Sequence, residues 1–228
     1  MFTNSSTFSN SVDAAFLYIT ALSAIVLIGI IAAMVYFVIK YSRKKNPVPK
    51  NIEGNTTLEV AWTLVPLVLF MSMFYFGWEG YRDMRNIPPD AMVIKITARM
   101  WQWGFEYPNG MQTDTLYVPV GSAIRGDLHS LDVNHAFYIP AFRVKRDVLP
   151  NKANNVWFKS EKIGVYDIAC AEYCGMKHSY MYSKIYVMAQ KDYDKWYADA
   201  SRKAGKIALP DSTAGRTSRR DSTAVTQL

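Results

Sequence analysis

Two uncharged apolar stretches near the N-terminus constrain this chain more than any other feature. Residues 14–39, from Ala14 through Ile39, carry no charged side chain. They include Ala24-Ile25-Val26-Leu27-Ile28 and Ile30-Ile31-Ala32-Ala33-Met34. A helix of about 20 apolar residues crosses a bilayer core, so this run is long enough. A second uncharged run extends from Val60 to Trp78. It contains Pro66, which membrane helices tolerate. Trp62, Tyr75 and Trp78 lie near its ends, where amphipathic rings favour the interface. The first run exceeds the apolar length of a secretory leader, and Met1–Asp13 hold no Lys or Arg, so it reads as a retained helix.

Charge sets the direction of these spans. Lys40, Arg43, Lys44, Lys45 and Lys50 lie between the runs, and Glu53 is the acid of that loop. Positive-inside bias puts the loop in the cytoplasm or matrix, so both chain ends face outward and everything after about Glu79 is exported. The net charge of +7 does not indicate nucleic-acid binding. Such binders concentrate cations on one functional stripe, whereas here the densest cluster flanks a span. The expected division is 1–13 outer segment, 14–40 first span, 41–57 inner loop and 58–79 second span. An exported domain with a C-terminal helix follows at 80–204, then a polar tail at 205–228.

Residues 91–188 read mainly as strands. Met92–Ala98, Thr115–Val120, Val156–Lys159, Val165–Ala169 and Tyr180–Val187 are rich in β-branched and aromatic residues. Pro108-Asn109-Gly110, Pro119–Gly121, Pro150-Asn151 and Gly164 break them. Short strands at this spacing predict a β-sandwich or barrel. Helical period returns at Lys191–Ala204, where Tyr193, Trp196, Tyr197 and Ala200 share a face.

The segment with most chemistry runs from Cys170 through Glu172, Cys174 and His178 to Met181. Thiolate and thioether are soft ligands suited to copper, and imidazole suits it too. In a tight loop, residues i and i+4 approach to about 6 Å, close enough for both sulfurs to bridge one metal pair. The alternative for two exported cysteines is a disulfide. A second imidazole has to come from His129 or His135. His135 opens a segment reading His-Ala-Phe-Tyr-Ile-Pro140-Ala-Phe142-Arg143-Val-Lys145-Arg-Asp147-Val-Leu-Pro150.

With that segment and the pattern C-x-E-x-C-x-x-x-H-x-x-M, the chain resembles cytochrome c oxidase subunit II over about residues 14–200. The resemblance implies a membrane-anchored all-β protein: two transmembrane helices followed by a cupredoxin-like Greek-key sandwich. It implies a dinuclear copper centre bridged by Cys170 and Cys174, with His135 and His178 each binding one copper. Met181 and the Glu172 carbonyl would be weak outer ligands, and the Glu172 side chain would reach a magnesium ion at the border with subunit I. His129 stays outside the ligand set. Trp101, first of a W-x-W element, would be the electron entry point, and Glu59 would assist proton uptake. Arg143, Lys145 and Asp147 would secure the subunit I border. The expected activity is acceptance of electrons from cytochrome c. They would pass to haem in subunit I, where oxygen is reduced to water with proton pumping.

No haem belongs in this chain, because neither span holds a His and C-x-x-C-H is absent. From Glu79 onward 21 basic residues stand against 16 acidic ones, which disfavours a strongly basic soluble donor. A membrane-bound, fused or less basic cytochrome c is expected. Residues 101, 103, 105 and 107 are all aromatic and would share one strand face. Rival readings are a copper-delivery protein of the Sco type and the electron-entry subunit of a nitric oxide reductase. A bacterial inner membrane is the expected location, with the mitochondrial inner membrane as the alternative.

Overall fold

The computed structural model describes residues 5–206 except 49 and 52. Two long helices come first, α1 (Ser9–Lys40) and α2 (Thr56–Arg85). The Asn55 side chain caps α2 by accepting from the Leu58 N–H at 3.1 Å. Both helices outrun the uncharged stretches, because an apolar count marks the bilayer core while a helix continues into polar ends. The second span was expected to end at residue 79, yet α2 continues to Arg85. Apolar side chains stay open on several faces of the pair, with Ile28, Val68 and Phe70 each 66% exposed. A surface of that kind needs lipid or protein against it. The two helices touch through a Tyr18 hydroxyl–Ser72 hydroxyl hydrogen bond of 2.7 Å and the Tyr18–Phe76 ring contact.

Ten strands follow: β1 (Met92–Arg99), β2 (Gln102–Glu106), β3 (Gln112–Thr113), β4 (Leu116–Pro119), β5 (Ala123–Ser130), β6 (His135–Ile139), β7 (Val144–Val148), β8 (Asn154–Lys159), β9 (Gly164–Cys170) and β10 (Tyr182–Met188). A helix, α3 (Gln190–Lys206), closes the described chain. One sheet has the order β3-β2-β1-β5-β8 and the other β4-β10-β9-β6-β7. β1 runs parallel to β5 and β4 parallel to β10, while the remaining pairs are antiparallel. This is the expected sandwich. Inward positions alternate along β1 as Ile94, Ile96 and Ala98, and Phe105, Phe137 and Phe158 from three other strands fill the interior.

Four strands were not expected from composition, the two-residue β3 and the longer β5, β6 and β7. β5 contains Gly126 between polar residues, which resembles a turn. Its glycine is a packing requirement: a Cβ there would sit 2.5 Å from Ile96 Cδ1 and 3.1 Å from Val156 Cγ1. β6 is buried at four of its five positions, so it shows no alternation. β7 reads Val-Lys-Arg-Asp-Val and lacks the period-2 pattern. The strand expected to start at Tyr180 begins at Tyr182 instead, after a 3-10 turn at His178–Tyr180. The tail from residue 207 lies outside the described residues.

Candidate metal centre

The sheet itself closes the ligand loop. β9 and β10 are antiparallel neighbours with Tyr182 opposite Ala169, and the Cys170 N–H donates to the Met181 carbonyl at 3.1 Å. Cys170 and Met181 are therefore the fastened ends of one connection. Gly175 adopts φ +113°, a conformation that side chains disfavour, and its Cα faces the Trp101 ring. The His178 N–H returns to the Gly175 carbonyl at 3.1 Å, turning His178 back toward the cysteines.

The result is a compact donor set. The Cys170 and Cys174 sulfurs stand 3.8 Å apart and are not bonded to each other. A disulfide would need about 2.05 Å. His135 Nδ1 lies 3.8 Å from the Cys170 sulfur and His178 Nδ1 lies 3.6 Å from the Cys174 sulfur. The Glu172 carbonyl oxygen is 3.2 Å from the Cys170 sulfur, and Met181 Sδ is 3.8 Å from the Cys174 sulfur. His135 and Met181 are fully buried. The ligand atoms of His135, Cys170 and Cys174 all fall within 4.8 Å of one another, a cluster able to hold a metal ion.

Electrostatics favour a cation here. Burial, then the neighbouring Cys170 sulfur, pushes the Cys174 thiol from an ordinary 9.0 up to about 12. A soft cation would displace that proton, coupling metal uptake to proton release. His135 Nε2 contacts Asp132 Oδ1 at 2.8 Å. With Asp132 accepting there, the lone pair at Nδ1 points toward the sulfurs. Burial disfavours the Asp132 carboxylate, but hydrogen bonds from His135 and from the Met100 and Val133 N–H groups hold it below the usual carboxylate range. Sequence reading did not single out Asp132. Its signal was the i−3 spacing from His135 on a strand-entry turn.

Trp101 meets the same loop from the other sheet. Its indole Nε1–H donates to the Cys174 carbonyl at 3.2 Å, and the Lys177 ammonium sits 5.9 Å from its ring centre. The expected four-aromatic strand face is corrected in one respect. β2 begins at Gln102, so Trp101 lies in the turn and packs half-buried against the ligand loop. Trp103, Phe105 and Tyr107 are buried in the core. The Glu172 side chain is exposed, as is His129 on β5. Glu59 lies in the first turn of α2, about 40 Å along the helix from Arg85, and is not part of this cluster. Arg143 pairs within the chain with Asp13 of α1 at 2.7 Å.

Residues 1–77 match the family model described as the cytochrome c oxidase subunit II transmembrane domain. Residues 110–188 match the model of that subunit's periplasmic domain. The chain belongs to the cytochrome c oxidase subunit II family. A cytochrome c oxidase subunit 2 of Alkalihalophilus pseudofirmus is 33% identical over 190 residues, covering 78% of this chain and 56% of that protein. One from Cereibacter sphaeroides is 27% identical, covering 87% of this chain and 79% of that protein. The chain thus spans little more than half of the first relative and most of the second. The crystal structure of the periplasmic domain of subunit II of cytochrome oxidase of Bradyrhizobium japonicum superposes with TM-score 0.50 at 32% identity. That match covers 52% of this chain and 99% of that domain. Subunit II chains are parts of an oxidase complex. Here the two helices are the inner-membrane anchor, and the sandwich is the periplasmic domain.

Proposed function

We propose that this subunit accepts electrons from cytochrome c at a dinuclear copper centre and delivers them to haem in subunit I for proton-pumping reduction of oxygen to water. One observation carries the reading: two unbonded buried sulfurs 3.8 Å apart, flanked by an imidazole Nδ1 on each side. Cys170 and Cys174 would bridge the pair, His135 and His178 would each hold one copper, and Met181 and the Glu172 carbonyl would complete the set. Bound there, the copper pair would supply one-electron transfer with little change of geometry. The chain's own residues do the rest. Burial of His135 and Met181 excludes water from the donors. Asp132 fixes the His135 ring, and the β9–β10 ladder fixes the loop ends.

Trp101 is the proposed electron entry, supported by its contact with the Cys174 carbonyl and its partial exposure. The Glu172 carboxylate, exposed in the loop after β9, is the proposed magnesium contact at the subunit I border. Glu59 is proposed for proton uptake at the inner end of α2. Basic residues flank the entry tryptophan, with Lys177 over its ring and Arg99 at the end of β1. This supports a less basic or membrane-tethered cytochrome c as donor. The sandwich and the oxidase relatives do not favour a Sco-type delivery protein, which would be thioredoxin-like, or a nitric oxide reductase subunit.

The test is copper loading of the detergent-solubilised chain followed by metal analysis and EPR. Two coppers and a seven-line signal are expected. A four-line, single-copper signal would refute the centre.

A further inference from the structure

The outer segment expected at 1–13 is described from Ser5 onward. It is strapped onto the sandwich. The Thr7 N–H donates to the Lys159 carbonyl at 3.2 Å, and the Glu161 N–H donates to the Ser5 carbonyl at 2.9 Å. Ser6 bridges Ser160 in antiparallel sense, just past the end of β8. The Ser6 and Ser9 hydroxyls donate to the Phe142 and Ala141 carbonyls at 2.8 and 3.2 Å. Phe8 is buried with its ring edge-on to Trp157 at 4.7 Å.

One turn further into α1, Asp13 takes two contacts from the Arg143 guanidinium, at 2.7 and 3.4 Å. Arg143 holds φ +59° directly after the Pro140–Phe142 turn and donates to the Pro140 carbonyl at 2.8 Å. That turn follows β6, the strand that begins with His135. The membrane helix is thereby joined by a partly buried ion pair to the turn at the end of the strand that carries the proposed remote copper ligand. The covalent link from α2 to β1 is a second tether, short at residues 86–91. A body held at one point can rock, whereas a body held at two is confined to a hinge.

We infer that Asp13 and Arg143 are positioning residues: with the Ser5–Ser9 strap they set the height and tilt of the copper-bearing sandwich over the membrane-embedded electron acceptor. This rests on the electron-relay reading of the site. Removing one partner of a sequestered ion pair leaves the other charge uncompensated, so the pair is sensitive to single substitutions. Misplacement of a reacting centre by about 1 Å can cost up to about 100-fold in rate.

The test uses the full chain within its assembled oxidase, comparing wild type with Asp13→Asn and Asp13→Glu. Three readouts are taken: hydrogen exchange of residues 5–13, the copper EPR spectrum, and electron transfer from flash-reduced copper to haem. Asp13→Asn is expected to raise exchange of the strap about tenfold or more, as for a segment whose local opening has become easier. It should slow copper-to-haem transfer at least about tenfold while the copper spectrum and the KM for the donor stay unchanged. Asp13→Glu should restore most of the rate. Ser9→Ala, which leaves no buried charge behind, should show a smaller slowing of the same kind and serves if Asp13→Asn fails to assemble. A loosened strap with an unchanged transfer rate would overturn the proposal, and so would an altered copper spectrum. Failure of the relay reading would show separately, as a missing dicopper signal in the wild type.

Discussion

The anchor and the sandwich are both rich in apolar residues but use them by opposite rules. In the anchor, α2 has no buried residue at all, and Tyr18 links the two helices through Ser72 and Phe76. In the sandwich, Ile94, Ile96, Phe137 and Phe158 are completely enclosed by their own chain. The anchor therefore obtains its environment from lipid and partner subunits, while the sandwich makes its own interior. Only an interior of that kind can hold donor atoms at fixed distances, which is why the candidate donor set sits there.

Substitutions on either side of that divide should differ in kind and in size. Cys170→Ser is expected to abolish the dicopper signal completely while leaving the helices and the sandwich folded, checked by EPR beside circular dichroism. Phe137→Ala, in the core beside Trp103 and opposite Cys170, should cost about 4 kcal/mol in urea unfolding of the sandwich. Gly126→Ala should cost about 1–3 kcal/mol, because its Cβ would press Ile96 and Val156.

A smaller loss is expected in acid. The Asp132 carboxyl titrates below its ordinary value in the folded state, so its contribution is present above the unfolded value of 3.8. It disappears as pH falls through the lowered one. Metal-free chain should therefore lose stability in that window, and Asp132→Asn should not, as read by urea midpoints at several pH values. The smallest effect belongs to the anchor: Tyr18→Phe removes the hydroxyl bond to Ser72 and should cost about 0.6 kcal/mol, measured by helix association in detergent. A large loss there, with a small one at Phe137, would reverse the comparison.

Legibility followed the range of the interactions. The loop from Cys170 to Met181 could be read because its donors are neighbours in the chain and its geometry is a single strand-to-strand connection. His135 could be named from its downstream segment, but its approach to Cys170 depends on β6 lying beside β9. Asp132 escaped notice because a lone carboxylate has no periodicity, and only the folded turn aims it at Nε2. β5 and β6 escaped for a related reason: central strands with a glycine, or buried on both faces, lose the alternation that marks a strand.

By itself, the sequence determined the two spans, their direction, the sandwich class and the identity of the soft donors. These follow from local composition, charge asymmetry and short-range spacing. Only the tertiary structure decided that the cysteines stay apart, that Trp101 leaves the core to meet the ligand loop, and that Asp13 reaches Arg143. Each of those brings together residues far apart in the chain, or sets them at distances that local preference does not specify. Such contacts exist only once two sheets have closed around a common core.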